Sequence, residues 1–267
     1  MESYEFLLFL AIILFATKIC GLFSRKFHMP QVVGALLAGV ILGPSVLNLI
    51  SFDGATGSYL EITAEIGVIL LMFSAGLETD LTELKENGVA SFITAGIGVL
   101  VPLFGGFLSY ALYFHTDFGD FMEVLKAVFV GVVLTATSVS ITVETLRELG
   151  KLKGRVGTTI LGAAVIDDIM GIIVLTVVTS IEDTSVNPFT VLLKIVLYFI
   201  VIAIVAFVMF KCKKLIEGAG EKRRVTIFAI AFCFLLSYVS EQFFGIADIT
   251  GAYFAGLMLC NMKIGDY

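Results

Sequence analysis

Residues 155–181 read RVGTTILGAAVIDDIMGIIVLTVVTSI, with two adjacent aspartates, Asp167 and Asp168, in their middle. Residues 156–166 before the pair and 169–181 after it carry no charge. At ~1.5 Å rise per helical residue, each flank is roughly 16–20 Å long, more than half of a ~30 Å hydrocarbon core. The stretch therefore reads as a transmembrane helix carrying two carboxyl groups near the bilayer midplane. An ionised carboxylate at that depth costs at least ~2.5–3.5 kcal/mol, so acids retained there default to a functional role over mere packing or ion pairing. Neighbouring helical residues point about 100° apart, so one carboxyl can face an aqueous cavity while the other meets a cation on another helix. A carboxyl group withdrawn from water can hold a proton or a metal cation, but not both well.

The rest of the chain agrees with a bilayer setting. Of its 267 residues 58% are hydrophobic and 15% charged, and mean hydropathy is +1.03. Soluble domains run near 25% charged, and one of this length could not bury so much apolar surface. The net charge of −6 comes with no basic face for nucleic acid. Cys20, Cys212, Cys233 and Cys260 are scattered, with no CxxC pair, and read as small apolar filler. No bound cofactor is expected. His28 and His115 fall between apolar runs and suggest no metal site. The first run begins with Glu2 and Glu5, where a signal peptide would begin with positive charge, so it reads as a retained helix.

Eight apolar runs and the start of a ninth lie near 4–23, 30–50, 60–77, 89–114, 123–144, 155–181, 189–210, 225–245 and 248–262. Alternate connections separate by charge. Arg25 and Lys26, then Lys85, then Arg147, Lys151, Lys153 and Arg155, then Lys211, Lys213, Lys214, Lys222, Arg223 and Arg224 follow the odd runs. Residues 51–60, 115–122, 182–188 and 245–247 hold no Lys or Arg, and Asp53, Asp117, Asp120, Glu182 and Asp183 sit there instead. Cytoplasmic loops are rich in Lys and Arg, so the N-terminus is predicted outside the cell membrane. Lys126 and Lys194 are mild exceptions near outer ends.

Run five carries Thr135, Thr137, Ser138, Ser140 and Thr142 at membrane depth. Hydroxyl and β-branched side chains weaken a helix there, and unwound backbone in a membrane is tolerated where it lines a cavity or packs on protein. A break is predicted in run five; the alternative is an intact helix whose hydroxyls bond back to its own carbonyls. Glu78 and Glu144 read as structural at helix ends, with Glu144 within reach of Arg147 or Lys151. Glu65 is a candidate cavity residue.

An internal repeat is suggested by Gln31-Val-Val-Gly-Ala-Leu-Leu-Ala-Gly39 and Asp248-Ile-Thr-Gly-Ala-Tyr-Phe-Ala-Gly256, in which Gly34, Ala35, Ala38 and Gly39 align with Gly251, Ala252, Ala255 and Gly256. Runs two and nine cross in opposite directions, the mark of an inverted-topology repeat; shared small-xxx-small packing is the plainer reading. The implied division is 1–182 as a first repeat (runs one to six), 183–224 as a linker helix with a basic loop, and 225–267 as the start of a second repeat whose remainder is absent.

At Gly34–Pro44, Phe73-Ser-Ala-Gly-Leu-Glu78, Thr135-Ala-Thr-Ser138, Val143-Glu-Thr-Leu-Arg-Glu-Leu-Gly150 and Gly162-Ala-Ala-Val-Ile-Asp-Asp-Ile169 the chain resembles the cation/proton antiporter-2 family, most closely its NapA-like sodium/proton branch. The resemblance implies an all-α polytopic membrane protein with a thirteen-helix inverted-repeat antiporter fold and discontinuous helices, here with its second repeat truncated. It implies a homodimer through a panel domain that includes runs one to three and eight to nine, and a core containing runs four to six that moves against it to give alternating access. It makes Asp168 the principal carrier of Na+ and protons, pairs Asp167 with a lysine on a later helix, and places Thr137 and Ser138 in an unwound segment beside them. Exchange of Na+ (or K+ or Li+) for H+ is the expected activity. The glutathione-gated potassium/proton branch usually has Gln at the first acid, so Asp167 points away from it and toward electrogenic exchange. K+/H+ exchange, an organic-anion/sodium symporter and a truncated non-transporting scaffold or sensor are the alternatives. An enzyme is not expected, since no Ser/His arrangement, HExxH or metal triad is present.

Overall fold

A computed structural model describes residues 2–50, 54–182, 187–217 and 222–260, and within them the apolar runs are helices. Lipid offers the backbone no hydrogen-bond partner, so a spanning segment must pair its own N–H and C=O groups. Among the described residues, six helices are long and apolar enough to cross: Tyr4–Lys26, Thr56–Glu78, Gly88–Phe114, Arg155–Ile181, Pro188–Lys211 and Thr226–Phe244. The protein is thus multi-pass. Residues 183–186 and 218–221 of the expected linker and loop, residues 261–267, which include the end of run nine, and Asp53 lie outside the described residues.

Two compact units are formed, Met1–Leu71 with Ser140–Lys151, and Met72–Val139 with Leu152–Tyr267. In the first, α1 (Glu2–Lys26) and α2 (Gln31–Leu42) make a hairpin. A side chain on Gly34 would strike the backbone of Cys20 and Gly21, so glycine there lets the two helices touch. Helix α2 is shorter than run two. It stops at Leu42 because Gly43 takes an extended conformation (φ −71°, ψ −179°), as a residue before proline tends to, and Pro44 follows. Leu42, Ile50 and Leu60 form a buried cluster against Phe6, Leu10 and Ile13. Helix α3 (Gly54–Glu78) starts six residues before run three and passes from the first unit into the second. Glu65 is exposed. Helix α7 (Val139–Glu148) closes the unit from its C-terminal end, where the Glu148 carboxylate accepts the Gln31 N–H at 2.7 Å and so caps α2. On the same helix, Arg147 and Glu144 form the expected pair at 3.6 Å.

In the second unit a short helix unforeseen in the sequence, α4 (Leu81–Glu86), is capped by Asp80, whose carboxylate accepts the Thr82 and Glu83 N–H groups. Helix α5 (Gly88–Phe114) packs on α6 (Phe121–Val133) and α8 (Arg155–Glu182). Gly106 and Gly131 meet backbone to backbone where α5 crosses α6. His115 ends α5 in a left-handed turn (φ 50°), and Asp120 caps α6 through Met122 N–H at 2.9 Å, which keeps that connection short. Helix α9 (Pro188–Glu217) packs on α8. Helix α10 (Lys222–Val239) begins three residues before run eight and ends in a π turn, Ser240–Phe244, closed by Gly245 at φ 68°. Helix α11 (Asp248–Leu259) lies against α10, where a Cβ on Gly251 would strike Ser240 Oγ and stand 2.6 Å from Leu236 O. Gly34 and Gly162 serve close helix approach, whereas Gly39 and Gly171 meet nothing within 4 Å.

Candidate functional site

Helix α8 is 28 residues long, with twelve before the aspartate pair and fourteen after. Its depth is fixed at one end by polar side chains. Arg155 Nε donates to Asn87 Oδ1 at 3.1 Å, Thr158 Oγ1 donates to Glu83 Oε2 at 3.1 Å, and Ser91 Oγ donates to the Thr159 carbonyl at 3.0 Å. Gly162 lies so close to Ser91 that an added Cβ would stand 2.7 Å from its hydroxyl. These contacts hold α8 on α4 and α5 and carry Asp167 and Asp168 to mid-helix, where both are half-buried.

The break predicted in run five is present. Helix α6 ends at Val133, and α7 begins at Val139. The Thr135 hydroxyl is buried and bonds back to the Val132 carbonyl at 2.8 Å, which satisfies the last turn of α6. Thr137 and Ser138 lie exposed in the non-helical stretch, and Thr137 Oγ1 donates to the Thr135 carbonyl at 3.3 Å. The same hydroxyl lies against the Asp167 carboxyl. Asp167 Oδ1 is buried and meets no hydrogen-bond partner among the described residues.

Of the four residues singled out in the sequence, Thr137 and Asp167 are thus brought into contact, Asp168 lies next to them on α8, and Ser138 follows Thr137 in the unwound stretch. Sequence reasoning missed Thr250. It sits on α11, 1% exposed, with its hydroxyl facing the Asp168 carboxyl. Yet Thr250 Oγ1 makes no hydrogen bond at ordinary geometry among the described residues. The available signal was a lone hydroxyl, Thr250, inside the repeated segment 248–256, next to the glycines and alanines that carry the repeat.

The donors gathered here are all oxygens: two carboxyl groups and the hydroxyls of Thr137 and Thr250. Oxygen-only sets suit hard cations, and unwound helix ends near the midplane are where secondary transporters place their ions. No cluster of three or more His, Cys, Asp or Glu side chains able to hold a resident metal occurs among the described residues.

Fold and site together define a polytopic helical membrane protein with an interrupted helix beside two acids at mid-helix. The sodium/hydrogen exchanger transmembrane model matches residues 10–266, and the chain belongs to that family. It is 41% identical over 256 residues to the Bacillus cereus protein named "Probable Na(+)/H(+) antiporter GerT", covering 95% of this chain and 65% of that one. It is 39% identical to the Na(+)/H(+)-K(+) antiporter GerN of the same organism, over 96% of this chain and 64% of that one. The sodium proton antiporter MjNhaP1 of Methanocaldococcus jannaschii shares the fold at 19% identity, with a TM-score of 0.65 over 98% of this chain and 63% of that one. The chain therefore spans just under two thirds of the length of these relatives. The family consists of transporters.

Proposed function

We propose that the complete protein exchanges a monovalent cation, Na+ first, for protons across the cell membrane by alternating access. The observation that carries this reading is the Asp167-Asp168 pair at mid-helix in α8, with Thr137 of the broken helix against one acid and Thr250 of α11 against the other. Asp168 is the carrier. It takes up the cation or the proton in turn, so loading one expels the other. Asp167, held by Thr137, tunes the charge moved per cycle and is the acid that a lysine on a later helix would meet. The names of GerT and GerN support Na+ as substrate, and that of GerN supports K+ as a second one.

The same reading assigns residues 1–182 to a first repeat, 183–224 to a linker and the remainder to an inverted second repeat. Its support is the parallel between the two hairpins: Gly34 of α2 abuts α1 at Cys20, and Gly251 of α11 abuts α10 at Leu236. By the 217-residue offset of the repeat, Leu236 falls one residue from the counterpart of Cys20. Homodimerisation and an external N-terminus complete the proposal, the latter supported by the alternation of Lys and Arg among the loops.

The test is cation-elicited proton movement in vesicles with an imposed pH gradient, with Na+, K+ and Li+ added in turn to the complete protein. Exchange with Na+ supports the reading and ranks the ions. No response to any of the three from well-folded protein in sealed vesicles overturns it in favour of a non-transporting scaffold.

A further inference from the structure

We propose that Thr250 is an oxygen ligand of the transported cation, completing with Asp168 a site that the paired acids only begin. The inference rests on the reading of Asp168 as the cation carrier and adds to it a residue on a second helix.

A threonine in a membrane helix ordinarily satisfies its hydroxyl by bonding back three or four residues. This chain does so repeatedly: Thr17 to Ile13 O at 2.8 Å, Thr63 to Tyr59 O at 2.7 Å, Thr79 to Ala75 O at 2.8 Å, Thr159 to Arg155 O at 2.7 Å and Thr176 to Ile172 O at 2.6 Å. Thr250 does not. Its amide is spent locally, donating to the Ala247 carbonyl at 3.0 Å, but its side chain, 1% exposed, makes no hydrogen bond of ordinary geometry among the described residues. A buried hydroxyl left without a partner is costly, so its orientation calls for a reason.

The direction it takes supplies one. The hydroxyl lies against the Asp168 carboxyl at a geometry short of an ordinary hydrogen bond. Two oxygens that approach in this way can both turn to one cation. A hydroxyl has lone pairs to offer, and it adds a ligand without adding charge, which suits a monovalent ion whose charge the carboxylate already balances. The packing of α11 keeps this oxygen in place. Gly251, next in sequence, is pressed on Leu236 and Ser240, and Gly256 is pressed on Phe73 and Gly76 of α3. The small residues of the repeated segment thus fix the helix, and Thr250 is the group they present to Asp168.

The test compares Thr250→Val, which keeps the shape and removes the oxygen, with Thr250→Ser, which keeps the oxygen. Both are made in the complete protein and assayed for Na+-driven proton exchange and for Na+-dependent protection against thermal unfolding. Thr250→Val is expected to raise the apparent KM for Na+ about tenfold, the size of losing one ligand worth ~1.4 kcal/mol, with the maximal rate within about twofold. Thr250→Ser is expected to stay within about threefold of the parent in KM. Thr250→Ala, oxygen-free and without added volume, should repeat the Val result if that variant does not fold. The proposal is overturned if the oxygen-free variants keep the parental KM, or if Ser is as impaired as Val. An unmutated protein that exchanges no Na+ and gains no protection from it would instead bring down the carrier reading itself, and this site with it.

Discussion

Consider Gly131→Ala. Gly131 lies where α6 crosses α5, one turn before the helix breaks. A Cβ there would strike the Leu103 carbonyl oxygen and stand 3.2 Å from both Leu103 C and Phe107 N. From the opposite side, a Cβ on Gly106 would stand 2.8 Å from Gly131 Cα. The obstructing atoms are backbone, which cannot rotate aside as a side chain can, so the two helices must part. Overpacking of this kind costs ~1–3 kcal/mol, and alanine returns ~0.5–1 kcal/mol through its better helix propensity. A net loss of about 1–2 kcal/mol remains, or roughly 2–8 °C in Tm at ~2–4 °C per kcal/mol. Gly98→Ala on the same α5 is the control, because nothing lies within 4 Å of its Cβ position; it should leave Tm unchanged or raise it slightly. Thermal unfolding of the detergent-purified protein, followed with a thiol-reactive dye on the free cysteines, reads both variants. If Gly131→Ala is as stable as Gly98→Ala, the close crossing of α5 and α6 is wrong, and with it the account of how the broken helix is held.

Three further outcomes follow from named contacts. Glu148→Ala removes the carboxylate that caps α2 at Gln31 and should destabilise by about 1–2 kcal/mol, seen as faster amide hydrogen exchange in the first turn of α2. Tyr198→Phe deletes a buried hydroxyl bonded to Ser240 at 3.1 Å and should lower Tm by roughly 2–4 °C, the size of one hydrogen bond of ~1 kcal/mol. Asp167→Asn should leave cation exchange in place but change the charge moved per cycle, measured as the response of transport to membrane potential; unchanged electrogenicity would count against its proposed role.

Much of the architecture was legible in the sequence because lipid imposes one solution. Runs of about twenty apolar residues become helices, and helix ends carry charge. The break in run five was also legible, since five hydroxyls between Thr135 and Thr142 compete with the backbone for its hydrogen bonds. What escaped the sequence depends on neighbours in space. The early stop of α2 needed Gly43 and Pro44 to outweigh an apolar run that continues to Ile50. Helix α4 is only six residues long, too short for periodicity to show, and follows from the Asp80 cap. The π turn at Ser240–Phe244 reflects packing around Tyr198 and Gly251, which no local pattern announces. Thr250 was hidden for the same reason. Its role depends on Asp168, eighty-two positions earlier, and only the folded α11 brings the two side chains together.

The account turns on proton and cation competing for Asp168. The most direct measurement is the release of protons when Na+ is added to purified protein in weakly buffered detergent solution, compared between the parent and Asp168→Asn. The account predicts that Na+ displaces protons from the parent and none from the variant, with both proteins equally folded. Equal release from Asp168→Asn would contradict it and move the carrier to another group.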